Sequence, residues 1–75
     1  MNGDNLIRMA NQIGVFFESM PDRAEAEEGL ALHLKKFWDP RMRRAFLELV
    51  DDAARRQELR AIVQAAVRQH RAMLA

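Results

Sequence analysis

The spacing of apolar residues limits this sequence to one class of fold. Leu6, Ala10, Ile13 and Phe17 recur every three or four positions and share one face of a helix. No segment alternates apolar and polar residues with the period of two that a half-buried strand shows. The sequence therefore predicts an all-α protein, a compact bundle of three to four short helices, with residues 1–75 forming a single small helical domain.

Two prolines mark where helices end and begin. Pro21 ends the first helix, which we expect to start after Asp4, a residue that can cap free N–H groups. Asp22, with Glu25 three residues later, is typical of the start of a second helix. The apolar stripe of this helix has His33 in its middle and consists of Ala26, Leu30, Leu34 and Phe37.

The third helix begins at the Asp39-Pro40 pair, because Asp39 can cap and Pro40 suits the first helical position. Its face carries Met42, Phe46, Leu49 and Ala53, with Val50 at the edge. A fourth helix has one broad apolar face that comprises Leu59, Ile62, Val63, Ala66, Val67, Met73 and Leu74. Continuing the third helix would rotate the stripe, so we expect a break at residues 51–57, capped by Asp51 or Asp52.

Several apolar residues do not fit a self-contained bundle. Val15, Leu32 and Leu47 fall outside the main stripes of their helices. The first helix is also apolar over a wide arc, because Met9, Phe16 and Met20 extend its stripe. On so small a protein, this excess indicates a surface that another chain uses.

Composition excludes several classes of function. The 75 residues contain no cysteine, which rules out disulfides, thiolate metal sites and cysteine nucleophiles. Twelve Lys and Arg against eleven Asp and Glu argue against a purely electrostatic polyanion binder. No apolar stretch approaches the ~20 residues of a membrane span, and the N-terminus lacks the pattern of a secretory signal. We expect a cytoplasmic protein with no membrane contact.

Residues with catalytic chemistry are sparse and scattered. His33 and His70 lie on different predicted helices, and packing explains them better than metal binding. Ser19 is the sole hydroxyl nucleophile candidate, and no histidine is near it in sequence. The acidic residues that start the second helix suit the positive end of its dipole: Glu25, Glu27 and Glu28. We therefore predict no catalytic, cofactor-binding or metal-binding residue.

The segment of residues 33–44 combines positive charge with aromatic rings. Its five cations are Lys35, Lys36, Arg41, Arg43 and Arg44, and they surround Phe37 and Trp38. Three interpretations are open: a packed corner that Trp38 covers, a protein interface anchored by Trp and Arg, and a nucleic-acid-binding site. A homo-oligomeric module using residues 35–44 is a further alternative. The acidic residues at 22–28 favour the first two.

Four stretches of this sequence resemble a known family. They are Leu6-Ile7-Arg8-Met9-Ala10-Asn11-Gln12-Ile13, Phe16-Phe17, His33-Leu34 and Phe37-Trp38-Asp39-Pro40-Arg41-Met42-Arg43. Together they look like the delta subunit of NAD-dependent, molybdenum-containing formate dehydrogenases. The likeness covers residues 4–50, and the run from Phe37 to Arg43 is its most specific part.

The resemblance implies a non-catalytic accessory subunit without a cofactor of its own. Its partner would be the catalytic alpha subunit, with beta and gamma subunits in the same complex, and it would support assembly, cofactor insertion or stability. Formate would be oxidised to carbon dioxide by a complex that carries molybdenum bis-MGD, iron–sulfur clusters and FMN and that reduces NAD. Self-association of the isolated chain is left open.

Nine residues are predicted to bind the partner: Asn11, Gln12, Phe37, Trp38, Asp39, Pro40, Arg41, Met42 and Arg43. Phe37 and Trp38 would supply buried area, and the arginines would donate forked hydrogen bonds. The Asp-Pro pair would fix the corner and so reduce the entropy lost on docking. Asn11 and Gln12 lie off the apolar stripe and could bond partner backbone, with simple solvent exposure as the alternative.

Overall fold

Five helices form the bundle. The structure is a computed structural model that describes residues 2–75, and this part of the chain contains no strand. The helices are α1 (Gly3–Glu18), α2 (Arg23–Phe37), α3 (Pro40–Asp51), α4 (Ala53–Arg56) and α5 (Ala61–Leu74). The predicted all-α bundle is confirmed, and α4 is a short additional turn within the predicted break.

The first helix begins earlier than the sequence predicted. Asn2 is the N-cap, with extended backbone angles (φ −87°, ψ 119°), and its side chain accepts a hydrogen bond from the Asp4 N–H at 2.8 Å. Asp4 therefore lies in the first turn rather than at the cap. Its carboxylate instead pairs with Arg55, which ties the start of α1 to α4.

The predicted starts of α2 and α3 are confirmed. The Asp22 carboxylate accepts a hydrogen bond from the Glu25 N–H at 3.1 Å. The Asp39 carboxylate accepts one from the Met42 N–H at 2.9 Å, with Pro40 in the first turn. Both helices thus begin where local capping chemistry places them.

The break after α3 is confirmed, but the prediction for Ala53 is wrong. The chain leaves the helix at Asp52 (φ −87°, ψ 113°), whose side chain caps α4. Ala53 is consequently exposed at the start of α4 and does not continue the α3 face. Leu59 is buried, although it precedes α5 rather than belonging to it.

One hydrophobic core joins α1, α2, α3 and α5. Its largest fully buried side chains are Phe46, Leu30, Leu34, Ile62, Leu74, Val63 and Val67. The backbones of α1 and α5 approach closely at Gly14, where a Cβ atom would lie 2.9 Å from the Val63 side chain. That contact requires a glycine-sized residue on α1.

For two apolar residues, the observed burial is the reverse of the prediction. Leu47 was predicted outside the core but is buried, because α3 packs against both α1 and α5 and so buries a wide arc. Phe37 was predicted in the α2 stripe but is 72% exposed, because the chain turns after it and Trp38 covers the core instead. Val15 and Leu32 are exposed, as predicted.

Candidate functional site

An open apolar groove runs between α1 and α2. We call it the aromatic groove; it has a volume of about 570 Å³ and is lined by Met9, Gln12, Ile13, Phe16, Phe17, His33 and Trp38. The last turns of α1 supply the two phenylalanines, α2 supplies His33, and the α2–α3 junction supplies Trp38. Residues far apart in sequence thus meet at one concave surface.

Four aromatic rings follow one another from the groove to Phe37, which lies beside the lining residues. Phe16 and Phe17 meet edge to face with ring centroids 5.1 Å apart, and Phe17 lies 6.1 Å from His33. His33 in turn lies 4.8 Å from Phe37. Because Phe16 is 68% and Phe37 is 72% exposed, the two end rings present large apolar surfaces to solvent.

Gly29 lets the Phe17 ring lie close to α2. A Cβ atom at Gly29 would lie 2.9 Å from Cε1 of Phe17, closer than carbon atoms pack. The missing side chain therefore leaves room for the ring, and the ring contacts His33 from that position. Local sequence at α2 thus shapes a wall of the groove that α1 provides.

Trp38 belongs mainly to the core. It is 5% exposed and packs edge to face on Phe46, with ring centroids 5.3 Å apart. In the free chain, Trp38 therefore has little surface to offer a partner, which differs from the predicted role as a supplier of contact area. Its exposed neighbour Phe37 has the surroundings that this role requires.

Of the two arginines predicted to bind the partner, Arg43 is hydrogen-bonded within the chain and Arg41 is exposed. Nη1 of Arg43 donates to the backbone oxygens of Lys35 at 2.9 Å and of Trp38 at 2.6 Å. These bonds satisfy carbonyls at the end of α2, which helix termini leave without helical partners. Arg41 is exposed and retains its guanidinium for other contacts.

The remaining corner residues fix the α2–α3 junction. The Asp39 carboxylate caps α3, and Met42 is half-buried against the core. Pro40 is exposed at the first turn of α3. The corner is therefore held by intramolecular contacts, as the sequence indicated.

Asn11 and Gln12 have separate roles. The Asn11 side chain donates to the Glu58 carbonyl and accepts from the Arg60 N–H, both at 2.9 Å. Its amide therefore links α1 to the start of α5 and is already hydrogen-bonded at both ends. Gln12 is exposed and lines the aromatic groove.

A salt bridge connects the end of α1 to the start of α5. Nε of Arg60 lies 2.8 Å from a Glu18 carboxylate oxygen, and its Nη2 lies 2.9 Å from the other. This forked hydrogen bond lowers the pKa of Glu18 and raises the pKa of Arg60.

The corner beside the groove carries several exposed cations, with the exposed carboxylate of Asp39 among them. Within residues 2–75 no carboxylate forms a salt bridge with the exposed cations Lys35, Lys36, Arg41 and Arg44. The same part of the chain has no group of three or more histidine and acidic side chains placed to hold a metal ion. None of its helices is long and apolar enough to cross a membrane.

The fold and the groove define a small helical protein with a preformed, exposed apolar surface. Comparison with protein families then gives its identity. The family model of the NADH-dependent formate dehydrogenase delta subunit, FdsD, matches residues 5–67, and the chain belongs to this family. The resemblance found in the sequence is thereby confirmed. No curated protein and no solved structure matches the chain.

Sequence reasoning assigned Phe16, Phe17 and His33 to apolar stripes and did not predict that they form a groove. One signal was present in the sequence. Phe16 extends the apolar stripe of α1 to one side, and a residue at the edge of a wide stripe can be left outside the core. The contact with His33, by contrast, depends on tertiary packing and on Gly29.

Proposed function

We propose that this chain is the non-catalytic accessory subunit of a cytoplasmic NAD-dependent formate dehydrogenase. In this role it binds the catalytic alpha subunit and supports its assembly, cofactor insertion or stability. Family membership supports the place in the complex. The observation that carries the binding role is the aromatic groove, in which Phe16 is uncovered, with the exposed ring of Phe37 beside it.

Covering these rings would provide much of the binding free energy. Burying a large apolar side chain contributes about 1.5–3 kcal/mol relative to leaving it exposed. The rings already contact one another in the free chain, and the corner is held by Arg43, so little ordering is needed on docking. A preformed apolar groove of this kind suits a permanent or long-lived protein contact.

The proposal places the redox cofactors on other subunits. Molybdenum bis-MGD, the iron–sulfur clusters, FMN and the NAD site would belong to the alpha, beta and gamma subunits. The donor set of this chain supports that division, because it has no cysteine to ligate a cluster and its two histidines lie on different helices.

Co-expression of the tagged chain with the alpha subunit tests the proposal. We expect the alpha subunit to co-purify, and Phe16→Ala to weaken the affinity at least about tenfold, as loss of an anchor residue does. Val15→Ala is the matched control, because Val15 is the adjacent exposed apolar residue but lines a different groove.

Two results would contradict the proposal in different ways. Failure of the wild-type chain to retain the alpha subunit would exclude the binding role. Equal affinities for Phe16→Ala and Val15→Ala would show that the contact lies elsewhere on the molecule. Circular dichroism of both variants controls for loss of the helical fold.

A further inference from the structure

We propose that the aromatic groove receives a segment of the alpha subunit in which bulky apolar side chains are followed by carboxylates. The apolar side chains cover Phe16, Phe17 and Phe37, and the carboxylates lie beside Lys36 and Arg41. This inference rests on the proposed function and adds the chemistry and the orientation of the bound segment.

Two exposed cations lie on the elements that border one end of the groove. Lys36 lies three residues after His33, so both occupy neighbouring positions on one face of α2. Arg41 is in the first turn of α3, three residues after Trp38, the buried residue at this end of the groove. Both cations are exposed and lack a carboxylate partner within residues 2–75.

The charge changes sign along the outer face of α2. Glu25, Gly29, Leu32 and Lys36 share this face, because they are spaced by three or four residues. Glu25 at its start is exposed, and Lys36 at its end lies about 16 Å away at 1.5 Å per residue. A segment that extends from the groove over this neighbouring face of α2 therefore meets Glu25 at one end and Lys36 at the other, which favours one direction.

Covering the two cations has a desolvation cost. A purely apolar segment would bury the rings but would also remove water from Lys36 and Arg41 without replacing it. Carboxylates at that end restore a partner for each cation and also steer the encounter. An apolar segment with acidic residues at one end satisfies both parts of the surface.

Charge reversal on the intact chain tests this inference with a close control. Affinity for the purified alpha subunit is measured for wild type, Lys36→Glu, Arg41→Glu and Lys35→Glu. Lys35 is exposed and lies in the same last turn of α2, so its reversal changes net charge and helix-dipole interactions equally. It lies 100° away around the helix, however, on the side away from the groove.

We expect Lys36→Glu and Arg41→Glu each to weaken binding about fivefold to tenfold, and Lys35→Glu less than about twofold. The difference should shrink as the salt concentration rises from about 0.05 M to 0.5 M, because salt screens exposed charges. Phe16→Ala should weaken binding at both salt concentrations, because burial of its ring is not electrostatic.

The contradicting outcomes are distinguishable. Absence of wild-type binding would overturn the proposed function, and this inference with it. Wild-type binding with equal losses for Lys36→Glu and Lys35→Glu would overturn the inference alone. It would also be overturned if sedimentation showed a dimer of the free chain that Lys36→Glu or Phe16→Ala dissociates, or if single-stranded RNA displaced the alpha subunit.

Discussion

Neighbouring residues at the corner of the bundle have different structural roles. Phe37 and Trp38 are adjacent aromatics in the motif that resembles the family, and sequence reasoning assigned both to a partner interface. The structure buries Trp38 on Phe46 and leaves Phe37 in solvent. At this scale, burial separates a residue that holds the fold from one that is available for binding.

Truncation of the two aromatics should therefore have unequal effects on folding. Trp38→Ala should lower the free energy of unfolding by about 3–5 kcal/mol, because it leaves a cavity beside Phe46. Phe37→Ala should change it by no more than about 0.5 kcal/mol, as an exposed site. Urea denaturation followed by circular dichroism measures both values.

A 75-residue domain has a total free energy of unfolding of about 4–11 kcal/mol. Trp38→Ala can therefore unfold a large fraction of the molecules. Trp38→Phe keeps an aromatic ring against Phe46 and should lose less than Trp38→Ala. Equal losses for Phe37→Ala and Trp38→Ala would contradict the assignment of Trp38 to the core.

Glu18 should give the fold a measurable dependence on acidic pH. Its pKa is lowered in the folded chain by the forked hydrogen bond with Arg60, so the folded state favours the ionised form. Its stabilising contribution is then present above the unfolded pKa of about 4.3 and is lost as pH falls through the lower folded value.

NMR titration of the Glu18 carboxyl carbon measures this directly, and we expect a folded pKa below the ordinary glutamate value. Glu18→Gln should be less stable than wild type at neutral pH and should approach it in acid. A folded pKa at or above the ordinary value would contradict the ion pair.

The helices are joined by side chains as well as by the core. The start of α5 has no side-chain cap from its own N-cap residue, Arg60. Asn11 on α1 instead accepts from the N–H of Arg60 itself and donates to the Glu58 carbonyl. One side chain of α1 thus positions the loop that leads into α5.

Removing that link should destabilise the bundle measurably. Asn11→Ala should cost about 1–2 kcal/mol, because it leaves the Arg60 N–H and the Glu58 carbonyl without these partners. Gln12→Ala, at the next position but exposed, should stay within about 0.5 kcal/mol. Chemical denaturation compares the two, and equal costs would contradict the role of Asn11.

Helix boundaries set by local chemistry were predictable from the sequence. Asp22 and the Asp39-Pro40 pair start α2 and α3 as expected, since caps act on backbone groups within three residues. Prediction from local sequence was wrong at the start of α1, where both Asn2 and Asp4 can cap the helix and Asn2 does so. It was also wrong for Leu47, because helical periodicity cannot show that α3 packs against two helices.

The groove combines residues from α1, α2 and the α2–α3 corner. The sequence predicted that the chain exposes too much apolar surface, and Phe16, Val15 and Leu32 show where. It could not predict the contact between Phe17 and His33, 16 positions apart, or the internal hydrogen bonds of Arg43. Both depend on how α1 and α3 lie against α2.

In the proposed complex, the aromatic groove faces the alpha subunit. Photo-crosslinking from a benzophenone amino acid at position 16 in the assembled complex tests it most directly, with position 72, exposed on α5, as the control. We predict crosslinks to the alpha subunit from position 16 and none from position 72. Crosslinks from position 72 alone would contradict the claim.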